Sequence, residues 1–165
     1  MENIVNKLIS CKKIITKNPR KEMYEDKQSS VILRNDFECT SEDRMYVFSV
    51  FMRKSKDMES LFSIGLKVEA NFSSNGSRTP IGITILRCSG SHEHTNRIKN
   101  KDTFDDFHVH ILEDQQYIQG QDKPVDAETT RAYNNFNTAL YHFLERCNIS
   151  GHEQFFLELS CSNKP

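Results

Sequence analysis

Phe62, Ile64, Leu66 and Val68 alternate strictly with polar or small residues. Side chains point to opposite faces along a strand, so this pattern predicts a strand with one buried face. Ile81, Ile83 and Ile85 repeat it and predict a strand running through Cys88, and Phe107, Val109 and Ile111 predict another. The stretch Arg44 to Arg53 is nearly continuous in apolar residues, and Val31 to Phe37 reads as a further strand. Two segments carry a helical period instead. Ile4, Val5, Leu8, Cys11, Ile14 and Ile15 predict a helix over 2–16. Its polar side holds Asn6, Lys7, Lys12 and Lys13, and Asn18-Pro19 ends it. Ala132, Phe136, Ala139, Leu140, Phe143 and Cys147 predict a long helix over 127–147, stopped by Asn148 and Gly151. Phe155, Phe156, Leu157 and Leu159 predict a closing strand.

Polar connections separate these elements: a charged linker over 19–30, a turn over 71–80 around Ser74-Asn75-Gly76, a loop holding His92 and His94, and the stretch 113–126. The order of elements lacks the alternating strand–helix rhythm of a parallel sheet. The expected fold is therefore α+β, one domain over 1–165. An N-terminal helix (1–18) and a linker (19–30) would precede a sheet-plus-helix core (31–165). The sheet would be a mostly antiparallel meander of roughly five to six strands, with the N-terminal helix and a long C-terminal helix packed on one face.

Composition narrows the function classes. The chain has 165 residues, 36% hydrophobic and 27% charged, with a net charge of −1. Near-neutral balance argues against a general nucleic-acid coat, which needs basic charge to neutralise phosphates. It does not exclude an enzyme with a local basic patch. No apolar run approaches the roughly 18 residues of a spanning helix. The N-terminal segment lacks the apolar core of a secretory leader. The five cysteines are scattered, with no Cys-x-x-Cys, which fits a reduced setting and no cysteine-based zinc site. A cytoplasmic protein with no membrane partner is expected.

Four of the six histidines form two clusters, His92-Glu93-His94 and His108-Val109-His110. His108 and His110 share one face of their strand, opposite Phe107, Val109 and Ile111. If strands 81–88 and 106–112 pair as a hairpin, the His92/His94 loop caps the end where His108 begins, beside Arg87. Both imidazoles would then stand off the polar side of the sheet. Three readings follow. In the first, His108 and His110 act as base and acid on a phosphodiester, with Arg87 as the stabilising cation and His92 or His94 assisting. In the second, the strand pair chelates zinc, with His92 or His94 as a further ligand. In the third, the imidazoles are polar surface without chemistry. The first needs no cofactor.

Ser89-Gly90-Ser91 reads as a turn rather than a phosphate loop. Arg97, Lys99 and Lys101 could steer an anion. Cys88 reads as a buried strand thiol. The acids Asp102, Asp105, Asp106, Glu113 and Asp114 read as solvated loop, or as phosphate mimics toward a basic groove.

Leu86-Arg87-Cys88-Ser89-Gly90-Ser91-His92-Glu93-His94, then Phe107-His108-Val109-His110-Ile111, resembles a family of small prokaryotic proteins associated with mobile elements and phage. These carry an R-x-x-G-x-H-x-H loop, an H-x-H strand and a closing helix like Ala139-Leu140-Tyr141-His142-Phe143-Leu144-Glu145-Arg146-Cys147-Asn148-Ile149. The arginine and histidine positions are also similar to those of TumE-like toxins of toxin–antitoxin modules, though Cys88-Ser89-Gly90 stands where those have Tyr-Asp-Asn. The likeness implies a toxin- or defence-associated protein acting on RNA or nucleotides, with an antitoxin as a further partner. The alternative expectation is a non-catalytic inhibitor that binds a host defence protein, as anti-CRISPR proteins do.

Overall fold

The computed structural model describes residues 3–70 and 81–162; the turn expected over 71–80 lies outside them. Strands β1 (Lys13–Lys17), β2 (Tyr24–Asp26), β3 (Ser29–Ser41), β4 (Val47–Ser55), β5 (Phe62–Ala70) and β6 (Ile81–Ser89) come first. Two short strands, β7 (His94–Thr95) and β8 (Thr103–Phe104), pair with each other. β9 (His108–Ile111), β10 (Glu128–Thr129) and β11 (Ile149–Ser150) rejoin the main sheet. That sheet has nine strands in the order β10-β9-β6-β5-β4-β3-β1-β11, with β2 also on β3. Every pairing is antiparallel except β1 with β11. The expected antiparallel meander is present as β3 to β6. The count of five to six strands was too low because β1, β2, β10 and β11 are too short to show alternation.

The alternating residues build the core. Phe48, Ile64, Leu66, Val68, Ile83 and Ile85 are fully buried, each contributing about 1.5–3 kcal/mol of hydrophobic stabilisation. Helices α1 (Ile4–Ser10), α3 (Phe136–Arg146) and α4 (Leu157–Ser162) add Val5, Leu8, Leu140, Phe143 and Leu159 to the same core. A short helix, α2 (Asp114–Ile118), follows β9. Its Asp114 carboxylate accepts the backbone N–H of Ile4 and Val5, which gives this acid a capping role at the start of α1. No helix among the described residues is long and apolar enough to cross a membrane.

Five expected elements differ. The helix over 2–16 stops at Ser10, and 13–17 form a strand. Lys13, assigned to a polar helix face, is instead fully buried. Its Nζ donates to the carbonyls of Ile9 (2.7 Å), Cys11 (2.8 Å) and Cys147 (2.9 Å). Those carbonyls end α1 and α3, where helices leave acceptors unpaired and favour a cation. The long C-terminal helix is 11 residues, not twenty-odd. Asn135 caps it by accepting from Thr138 N at 2.8 Å, so 127–135 are left to β10 and a loop. The closing strand expected over 155–159 is absent among the described residues: a 3-10 turn, His152–Gln154, ends at Phe155, and α4 begins at Leu157. The linker over 19–30 contains β2, and the strand expected over 31–37 extends over 29–41.

Register sets the opposite face of the sheet. Phe51, Gly65, Arg87 and His110 align as successive partners across β4, β5, β6 and β9. Arg53, Ser63, Ser89 and His108 form the adjacent row. Gly65 lets the Phe51 ring lie across the strand, since a Cβ there would fall 2.1 Å from Phe51 Cζ.

Candidate metal centre

The hairpin expected between strands 81–88 and 106–112 is present, with Arg87 opposite His110 and Ser89 opposite His108. Val109 faces the core, and Phe107 and Ile111 pack against it. His108 and His110 accordingly share the other face. They do not stand in solvent as expected: both are 0% exposed. The cover is the β7–β8 loop. Its His94 ring lies 5.2 Å from His108 and 4.8 Å from His110, centroid to centroid. Phe104 on β8 sits 5.5 Å from both His94 and His108. His92 reaches within 4.8 Å of His108. Folding thus brings Arg87, His92, His94, His108 and His110 together, while Glu93 faces solvent.

The hydrogen bonds fix the tautomers. His108 Nδ1 lies 2.8 Å from the Asp106 carbonyl, and His110 Nδ1 lies 3.1 Å from the Asp126 carbonyl. A carbonyl only accepts, so both imidazoles carry their proton on Nδ1 and leave Nε2 as a lone pair. His94 Nε2 lies 2.9 Å from Asn96 Oδ1. The amide of Asn96 is itself oriented, because Oδ1 accepts from Ala127 N and Nδ2 donates to Ala127 O. His94 therefore donates from Nε2 and leaves Nδ1 free. One ring nitrogen from each of His94, His108 and His110 lies within 4.8 Å of the others. Metal-ligating histidines characteristically donate their second ring nitrogen to a carbonyl or carboxylate, as all three do here.

The three free lone pairs are not equally occupied. His110 Nε2 accepts from Arg87 Nη2 at 2.9 Å. His108 Nε2 is buried with no partner among the described residues, a state that costs about 1–3 kcal/mol for a polar group removed from water. Burial, reinforced for His110 chiefly by the Arg87 charge, holds both imidazoles neutral. The His108 pKa is pushed down to about 4 and that of His110 to about 3. His92 is lowered too, by burial and then by Arg87 and His94.

Sequence reasoning missed the residues that hold the histidines. Asn96, 5% exposed, orients His94. The Asp126 backbone orients His110, while its carboxylate accepts from the N–H groups of Arg97, Ile98 and Lys99 and pins the covering loop. Tyr133 sits below β6 and β9, its hydroxyl shared between the carbonyls of Ser89 (2.9 Å) and His108 (2.7 Å). A polar residue inside a polar loop gives no local signal for such roles. Among the basic loop residues, Lys99 is paired with Glu113 at 2.9 Å. Cys88 is buried as expected, and burial pushes its thiol up to about 12, which leaves no thiolate for nucleophilic chemistry.

Comparison with protein-family models, with curated proteins and with solved structures finds no significant match to this chain, so the likenesses stated above rest on their motifs alone.

Proposed function

We propose that His94, His108 and His110 bind one divalent transition-metal ion, zinc by ligand type, and that the protein uses it for hydrolytic chemistry. One observation carries this reading: a buried, unpartnered lone pair on His108 within a group of three imidazoles, each held by a carbonyl oxygen through its other nitrogen. Three imidazoles with no cysteine are the donor set of catalytic rather than structural zinc, which would keep a further position for water. The ion would act as a Lewis acid and lower the pKa of bound water toward neutrality. His92, outside the three-nitrogen group, supplies a neutral imidazole beside it. The acid–base alternative needs one protonated histidine near neutral pH. The environment of His108 and His110 disfavours that form in both.

Cobalt(II) titration of metal-free protein tests the reading. The expected result is a visible absorption band that saturates at one ion per chain and disappears in His108→Ala and in His94→Ala. A spectrum unchanged from aqueous cobalt, or one indifferent to these substitutions, overturns it. A toxin- or defence-associated role on RNA or nucleotides stays a proposal built on the same centre. It requires that growth inhibition on induced expression be abolished in His108→Ala/His110→Ala; a non-catalytic inhibitor would act regardless.

A further inference from the structure

Arg87 stands between two environments. Its Nη2 donates to His110 Nε2. It also lines, with Arg53, Ser55, Ser63, Ser89 and His92, a cleft of about 260 Å³ beside the histidines. Among the described residues no Asp or Glu lines that cleft. Arg87 Nε and His92 Nδ1 are buried atoms with no hydrogen-bond partner among the described residues. Arg53 is held in place by Asp36 at 2.9 Å, but Asp36 also accepts from Arg34. Arg34 also meets Asp26 at 3.7 Å, so two carboxylates serve Arg34 and Arg53. Arg87 has no carboxylate partner among the described residues, and its positive charge remains at the cleft wall. The wall offers a guanidinium fork, a second guanidinium and three hydroxyls, a donor set suited to a phosphoryl group.

We propose that this cleft binds a phosphoryl group and that occupancy of the metal centre transfers Arg87 from His110 to that group. The proposal rests on the metal reading above. An ion bound by His110 takes the lone pair that Arg87 now uses. The guanidinium is then left without an acceptor, beside a second positive charge. An oxyanion in the cleft supplies acceptors to Nη2 and to the unpartnered Nε, and neutralises the added charge. Metal and phosphoryl ligand would each strengthen binding of the other, as linkage requires.

The test is calorimetric titration of inorganic phosphate into metal-free and zinc-loaded protein, with acetate as the carboxylate comparison. Phosphate should bind the zinc-loaded form at least about tenfold more tightly than the metal-free form, and acetate should show no such gain. Arg87→Gln should weaken phosphate binding by about tenfold or more while zinc affinity holds or rises, because the competitor for His110 is gone. Equal phosphate affinity in zinc-loaded wild type and Arg87→Gln would place the anion on the ion alone and overturn the proposal. Equal enhancement of acetate would overturn the phosphoryl assignment. Failure of zinc to bind the wild type overturns the metal reading and the transfer of Arg87 together. Phosphate binding to metal-free protein, abolished by Arg87→Gln, would then uphold the cleft alone.

Discussion

Two neutral imidazoles sealed under a loop make the metal-free protein sensitive to mild acid. His108 and His110 have folded-state pKa values of about 4 and about 3, against an ordinary value of 6.5. Between pH 6.5 and the folded values the unfolded chain binds protons that the folded chain does not. Stability is therefore fully present above pH 6.5 and falls as pH is lowered, at about 1.4 kcal/mol per pH unit for each group. At pH 5 the unfolded histidines lie 1.5 units below their ordinary pKa, a loss of about 2 kcal/mol for each imidazole and about 4 kcal/mol for the pair. This size does not depend on the folded values, provided both stay well below 5. Against a typical stability of about 5–15 kcal/mol the loss is large. Urea unfolding in the presence of a chelator, at pH 7.5 and pH 5.0, measures it. His108→Gln/His110→Gln removes both titrations and should flatten the pH dependence by about 4 kcal/mol, whatever its stability at pH 7.5. Equal acid sensitivity in wild type and the double variant would refute the claim that these imidazoles are buried neutral.

Three further substitutions probe how the centre is held. Gly90→Ala would place a Cβ 1.8 Å from the Ser60 carbonyl oxygen; it should cost at least about 1–3 kcal/mol in urea unfolding and displace the His92–His94 loop, seen as lost cobalt absorption. Asn96→Ala frees the His94 ring and should weaken zinc binding about 10- to 100-fold in a chelator competition. Tyr133→Phe removes the hydroxyl shared by the Ser89 and His108 carbonyls, with an expected loss of about 1–3 kcal/mol in urea unfolding.

The parts of the fold legible in the sequence are those where one physical term dominates. Phe62 to Val68 alternates because one face of β5 is core, and the strand is where the pattern puts it. The His-x-His spacing likewise puts His108 and His110 on one face, and Arg87 beside them follows from the hairpin register. What was not legible depends on distant partners. Lys13 counts as polar in any pattern, yet its charge is taken up by carbonyls from Ile9 to Cys147. Asn135 looks like a helix interior until its capping bond to Thr138 is seen. The apolar run at Phe155–Leu159 satisfies strand and helix templates alike, and packing against the core selects α4. The burial of the histidines follows from the β7–β8 loop closing over β9, anchored by the Asp126 carboxylate and by the Ala127 backbone, which its own Asn96 side chain grips. Local spacing could state which face the imidazoles share, but not whether that face is open.

Zinc K-edge X-ray absorption on the purified, zinc-loaded protein tests the central claim most directly. The expected result is three imidazole nitrogens at about 2.0–2.1 Å from a single ion per chain, and loss of that imidazole shell in His108→Ala. Zinc held by fewer than three imidazoles, or a spectrum unaltered by that substitution, would contradict it.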